Sequence, residues 1–148
     1  MKTMIGLIAL SIAIFAAAGA AADDAAPDPV GPDKVVYHFS SGLEQASAGL
    51  EGIRNHLEVN PKAQITVVTL AAGVDFLLKG AKTARGNDYR HAVEDLELQG
   101  VKFRVCEITL RERGLQHDRF VPEARFVASG VAEIARLQRR EGYAYIKP

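Results

Sequence analysis

The sequence predicts an α/β domain built on a mostly parallel five-stranded sheet with helices on both faces. Two observations carry this expectation. Short β-branched apolar runs alternate along the chain with stretches whose apolar residues recur at helical spacing, the signature of successive βαβ units. The run Ala63–Leu70 (AQITVVTL) is almost continuously apolar, as a strand covered on both faces must be.

The elements follow in order. Lys34–Phe39 (KVVYHF) reads as the first strand, and Ser40-Ser41-Gly42 turns the chain. Ser41 with Glu44 three residues on has the form of a capping box, in which each side chain satisfies the other's orphan amide. Leu43, Ala46, Leu50, Ile53 and Leu57 form one apolar helical stripe, stopped at Asn60-Pro61. Ala63–Leu70 is the second strand, Ala71-Ala72-Gly73 a tight turn, and Val74–Lys79 a short apolar helix. Asp88–Gln99 predicts a helix with Tyr89, Val93 and Leu96 inward, closed by Gly100. Val101–Val105 is the third strand, with Cys106 at its end. A short helix over Thr109–Arg113 stops at Gly114. Ala124–Ala128 is the fourth strand. Ser129 caps a helix over Gly130–Arg140 with Val131, Ile134, Ala135 and Leu137 inward, and Tyr143–Lys147 is the fifth strand.

Ahead of the domain, Lys2 is followed by an uncharged apolar run, Ile5 to Ala18, and then by small residues around Ala20 and Ala22. This is the pattern of a secretory signal peptide over residues 1–22, too short to span a bilayer once export is complete. The chain is therefore expected to be periplasmic or otherwise exported, with no membrane association after cleavage. Residues 23–33 carry Pro27, Pro29 and Pro32 among Ala, Asp and Gly and read as a flexible leader. The domain proper is residues 34–148, long enough to bury a core without disulfides. Its charges balance, 18 Lys+Arg against 18 Asp+Glu over the whole sequence. No basic tract is present, so nucleic acid is not an expected partner.

One cysteine, Cys106, is available. In an exported chain it is a free thiol, an intermolecular link or a buried inert side chain. As a small apolar residue it belongs in a core. As a thiolate at a strand end and before a helix start it is placed for chemistry, because unpaired amides and the helix dipole favour negative charge there. Arg104, two residues back, lies on the same face of the strand. Sites in open α/β sheets form beyond the carboxyl ends of the strands. There Ser40 and Ser41 follow the first strand, and Ala72 and Gly73 follow the second, offering backbone donors and clearance. His38, His56, His91 and His117 show no ligand spacing, so neither a metal nor another cofactor is expected. Arg111, Arg113 and Arg119 read as solvated charge.

Several segments in this order resemble the DsrE/DsrF-like family. They are Val67-Val68 leading into Gly73–Gly80 (GVDFLLKG), Gly100–Cys106 (GVKFRVC), Thr109-Leu110 with Arg113-Gly114, Ser129–Gln138, and Glu141–Pro148. The resemblance implies a three-layer α/β/α fold that assembles into trimers or hexamers. It implies a sulfur relay in which a cysteine after the third strand carries a persulfide, and Cys106 matches that position. The implied partners are a sulfur-donor or acceptor protein or a small thiol. Cys106 is then the reacting residue, with Arg104, Ser40, Ser41, Ala72, Gly73 and Thr109 as supporting candidates. Leu70, Ala71 and Ile108 stand where relatives often carry polar residues or glycine, so a more apolar pocket is expected. The alternative is an oligomeric binding module that keeps the fold without the chemistry.

Overall fold

A computed structural model describes residues 32–148. The signal segment, 1–22, and all but the last two residues of the 23–33 leader lie outside the described residues. No described helix is long and apolar enough to cross a membrane.

The elements are β1 (Lys34–Phe39), α1 (Gly42–Val59), β2 (Gln64–Thr69), a 3-10 segment (Ala71–Leu77), α2 (Tyr89–Leu98), β3 (Lys102–Cys106), α3 (Glu107–Arg113), β4 (Ala124–Val127), α4 (Gly130–Glu141) and β5 (Ala144–Ile146). The strands form one sheet in the order β4-β3-β2-β1-β5. Every pairing is parallel, which makes the sheet wholly rather than mostly parallel.

The strand order explains how unequally the two faces are covered. From β1 to β4 the chain steps across the sheet in one direction, and right-handed crossovers put those connections on one face. The step from β4 to β5 runs the other way, so α4 falls on the opposite face. The buried clusters agree. Alternate strand residues Val35, Tyr37, Phe39, Ile65, Val67, Phe103 and Val105 pack with Leu50 and Ile53 of α1, Phe76, Val93 of α2 and Leu110 of α3. Aromatic contacts tie this core together: Phe76 lies 5.5 Å from Phe39, 5.9 Å from Tyr89 and 6.2 Å from Phe103 between ring centroids, each pair adding about 0.5–1.5 kcal/mol beyond burial. The other face holds a smaller core, Val36 and Val68 beneath Ile134 and Leu137 of α4, with Tyr143.

Several expectations change in detail. Ser41 is the N-cap of α1 but makes no side-chain cap bond. Gln45 reaches back instead, and its Oε1 accepts from the amides of Ser40 and Ser41 at 2.7 and 2.8 Å. A side chain of equal length one residue further on does the work assigned to Glu44. Leu43 sits at the edge of its stripe and is exposed, whereas α2 buries Tyr89, Val93 and Leu96. The Val74–Lys79 helix is instead the end of the 3-10 segment that begins at Ala71. Within it Val74, Phe76 and Leu77 are core, so this apolar segment is covered by its own chain. In α4, Ser129 caps Ala132, but Val131 and Ala135 face solvent and Glu133 is buried. The helix is rotated from the expected stripe, and the buried Glu133 meets Arg104 of β3 on the sheet.

Candidate functional site

Cys106 ends β3 and is the N-cap of α3. Phe103 and Val105 point into the larger core, so Cys106 and Arg104 point to the α4 face. Cys106 pairs in register with Val127 of β4, and three residues beyond Val127 the chain starts α4 at Gly130. The start of α4 is thereby brought over the sulfur. The approach is close: a Cβ at position 130 would lie 3.2 Å from Cys106 Cβ and 3.1 Å from Leu70 Cδ2, tighter than side chains normally pack. Only glycine fits without displacement.

The neutral thiol makes no side-chain cap bond to α3. The donors around it matter for the charged form. Burial pushes the Cys106 thiol up, because the residue is only 5 % exposed. The amides of Gly130, Thr109 and Ile108 and the Thr109 hydroxyl outweigh that, holding the thiol below its ordinary value. Two helix starts, those of α3 and α4, thus converge on one sulfur.

Thr109 is buried, and its hydroxyl has a fixed role. Oγ1 accepts from the Ala71 amide at 2.9 Å, leaving its own proton free for the sulfur. Ala71 is the one described non-glycine residue with positive φ, at 50°, a conformation that costs on the order of 1 kcal/mol or more. It is held from α3 on both sides, by Thr109 at its amide and by Arg113 Nη1, which donates to its carbonyl at 2.9 Å. Arg113 also pairs with Asp75 at 2.7 Å, so it is a structural tie between α3 and the 3-10 segment rather than solvated charge.

The supporting candidates divide accordingly. Thr109, whose amide and hydroxyl favour the thiolate, is the supporting candidate nearest in effect to Cys106. Gly73 is buried, and its role is clearance: a Cβ there would meet the Phe39 carbonyl oxygen at 2.2 Å. Ala72 is exposed. The amides of Ser40 and Ser41 serve Gln45 rather than Cys106. Arg104 shares the face of Cys106, but its guanidinium is paired with Glu133 Oε1 at 2.7 Å and is not among the groups that lower the thiol. Leu70 packs at the start of α4, and Ile108, two residues after Cys106, is 37 % exposed. Gly130 and Glu133 were not legible as site residues. The one available signal for Gly130 was a Ser-Gly pair directly after a strand. Among the described residues no group of three or more His, Cys, Asp or Glu side chains is arranged to hold a metal.

Two consequences are testable here. Thr109→Val removes one donor and leaves the Ala71 amide unpaired. The thiol pKa should rise, with a stability loss of about 1–3 kcal/mol, read from alkylation-rate titration and urea denaturation. The lowered thiol also couples folding to pH. A folded pKa below the unfolded one contributes stability that is present above the unfolded value and lost as pH falls through the folded one. Wild type should gain stability relative to Cys106→Ser as pH rises from about 6 to 10, across the range of free thiol ionisation. Denaturation midpoints that run parallel across that range would contradict it.

A wholly parallel sheet with helices on both faces and a buried cysteine where β3 meets α3 defines an α/β domain with its candidate site at the strand ends. The chain belongs to the DsrE/DsrF-like family, whose model matches residues 33–148. Among solved structures it is similar to MTH1491, a protein of unknown function from Methanobacterium thermoautotrophicum. The two share 33% identity over 78% of this chain and 99% of that one, with a TM-score of 0.69. It also resembles the ychN protein from E. coli in fold, at 16% identity over 78% of this chain and 99% of that one, with a TM-score of 0.66. No curated protein matches it.

Proposed function

We propose that this protein is an exported sulfur carrier that holds a sulfane sulfur as a persulfide on Cys106. The observation that carries this reading is the placement of a buried Cys106 at the end of β3 and the N-cap of α3, with the Gly130 start of α4 packed against it; the amides and hydroxyl there favour the thiolate. A carrier thiol has two tasks. On loading, the Cys106 thiolate attacks the outer sulfur of a donor R–S–SH. A new S–S bond forms, the donor's S–S bond breaks, and the products are Cys106–S–SH and RS⁻. On unloading, an acceptor thiolate attacks the outer sulfur and the Cys106 thiolate leaves. No net oxidation occurs in either step. A thiol held below its ordinary pKa is more ionised as nucleophile and better as leaving group, so the same four donors serve both directions. Family membership supports the reading, and so does the absence of a second cysteine, which leaves no internal thiol to resolve the persulfide as a disulfide.

Burial favours a second reading, a binding module without thiol chemistry: Cys106 is 5 % exposed, as inert structural cysteines are. Alkylation rate against pH separates the two. The carrier reading expects a midpoint below that of a free thiol, and a midpoint at or above it favours the binding module.

The carrier would act as a homotrimer or a hexamer of the family type, exchanging sulfur with a donor or acceptor protein or a small thiol. The apolar 3-10 segment lends this no support, being core in the single chain. Leu43, Val59, Leu98, Ile108, Val131, Tyr145 and Ile146 are the large apolar side chains exposed among the described residues and available to an interface. Light scattering on the mature domain should give three or six copies, and a monomer at micromolar concentration would refute the assembly. N-terminal sequencing of the exported form should begin near residue 21 or 23.

A further inference from the structure

The first turn of α4 has little to hold it on the sheet. Gly130 has no side chain, and Val131 and Ala132 face solvent, Val131 at 65 % exposure. Ile134 and Leu137 pack on Val36 and Val68 one turn and more further on. Between them stands Glu133, buried, with Oε1 2.7 Å from Arg104 Nη1 on β3. Arg136, one turn along α4, fixes the same carboxylate through Nε to Oε2 and Nη2 to Oε1, both at 2.8 Å. Arg104 is two residues before Cys106, and Gly130 three before Glu133. The ion pair therefore lies directly behind the contact between the α4 start and the sulfur.

We propose that the Arg104–Glu133 ion pair is a positioning device for Cys106, seating the first turn of α4 on β3 so that the Gly130 amide stays against the sulfur. This rests on the reading of Cys106 as the reacting thiol, and assigns Arg104 and Glu133 an indirect part in it. Among the charged groups on the surrounding elements, Arg111 and Glu112 of α3 and Arg139 and Arg140 of α4 are exposed, Arg125 of β4, in register with Arg104, donates to the Pro122 and Ala124 carbonyls, and the others on α3 and α4 are paired. Glu107 on α3 pairs with His117 at 2.9 Å, Arg113 with Asp75, and Arg136 with Glu133 and Glu141. Glu133 itself is held ionised, first by its hydrogen bonds from Arg136 and further by the nearby Arg104 and Arg136 charges, against the effect of burial.

Positioning and direct electrostatics predict opposite signs for one variant. Glu133→Gln removes a negative charge near the sulfur and frees the Arg104 cation. Acting through space, both changes would favour the thiolate and move the alkylation midpoint down. Acting through position, loss of the ion pair lets the α4 start lift, withdraws the Gly130 amide and moves the midpoint up. The expected result is an upward shift and a several-fold slower alkylation by iodoacetamide near neutral pH, with the circular dichroism spectrum unchanged. Glu133→Asp keeps the charge but shortens the arm by one methylene. It should also shift the midpoint up, and it serves if the glutamine variant fails to fold. A downward or absent shift in the folded variant overturns the proposal, because a merely structural pair would lower stability and leave the thiol profile in place. Persulfide uptake plays no part in this readout. A chain that alkylates as expected yet takes no sulfur removes the carrier reading and leaves the positioning role intact.

Discussion

Incubated with a low-molecular-weight persulfide donor, the wild-type chain should gain the mass of one sulfur atom, and Cys106→Ser should gain none. Wild type is expected to load one equivalent because the chain has one thiol. The serine variant should retain fold and assembly. Serine is close to cysteine in size, and its hydroxyl accepts hydrogen bonds from the Gly130, Thr109 and Ile108 amides at least as well as a thiol does. The loss is therefore chemical and complete, while the structural change is small. The donors that surround the sulfur also set the pH dependence of loading. They hold the thiol below its ordinary value, so uptake by wild type should be present near neutral pH and fall away as the solution is acidified through the folded pKa. Native mass spectra across that range check both parts. A wild-type chain that loads no sulfur at any pH would exclude the carrier reading and leave the binding module.

What the sequence made visible and what it concealed follow from the range of the interactions. Strand and helix positions are set by local periodicity. The five strands and the helices over Gly42–Val59, Tyr89–Leu98 and Gly130–Glu141 lie where their apolar spacing puts them, within a residue or two. Cys106 was legible for a similar reason, because strand end and helix start are both local features. Its surroundings were not. Gly130 lies 24 positions away in sequence (130 minus 106) and meets the sulfur only through the β3–β4 register. Arg104 was placed on the right face, but periodicity says nothing of where a long side chain ends. Its partner Glu133 stands among apolar neighbours in α4 and looks like an ordinary surface residue until the sheet supplies a cation. The loops after β1 and β2 were expected to aim amides at the site, yet Ser40 and Ser41 turn to Gln45 and Ala71 turns to Thr109. Side-chain acceptors within hydrogen-bond reach decided those contacts, and residue spacing does not reveal them.

Gly73→Ala should be the most destabilising single-methyl change near the site. The added Cβ would lie 2.2 Å from the Phe39 carbonyl oxygen, 2.3 Å from its carbonyl carbon and 2.5 Å from the Ser40 amide nitrogen. All three are backbone atoms, so no rotamer change relieves the contact. The end of β1 cannot move freely, because the Phe39 carbonyl accepts from the Leu70 amide at 3.0 Å and the Phe39 ring is fully buried against Phe76. The 3-10 segment cannot move freely either, since Gly73 donates to Leu70 at 2.9 Å and Phe76 and Leu77 are core. Overpacking in cores costs about 1–3 kcal/mol and occasionally more, and a collision confined to backbone belongs at the upper end. A loss of about 3 kcal/mol in a domain of this size lowers the melting temperature by about 10 °C. Ala72→Ser, at the exposed neighbouring position, should stay within about 0.5 kcal/mol of wild type. Thermal and urea denaturation of the two variants side by side decides the matter, and a Gly73→Ala protein as stable as the Ala72→Ser control would show that the turn after β2 yields. If instead the loss appears, the thiol should feel it too. The same turn carries Ala71, whose amide orients the Thr109 hydroxyl, so any folded fraction of Gly73→Ala should alkylate with a raised midpoint.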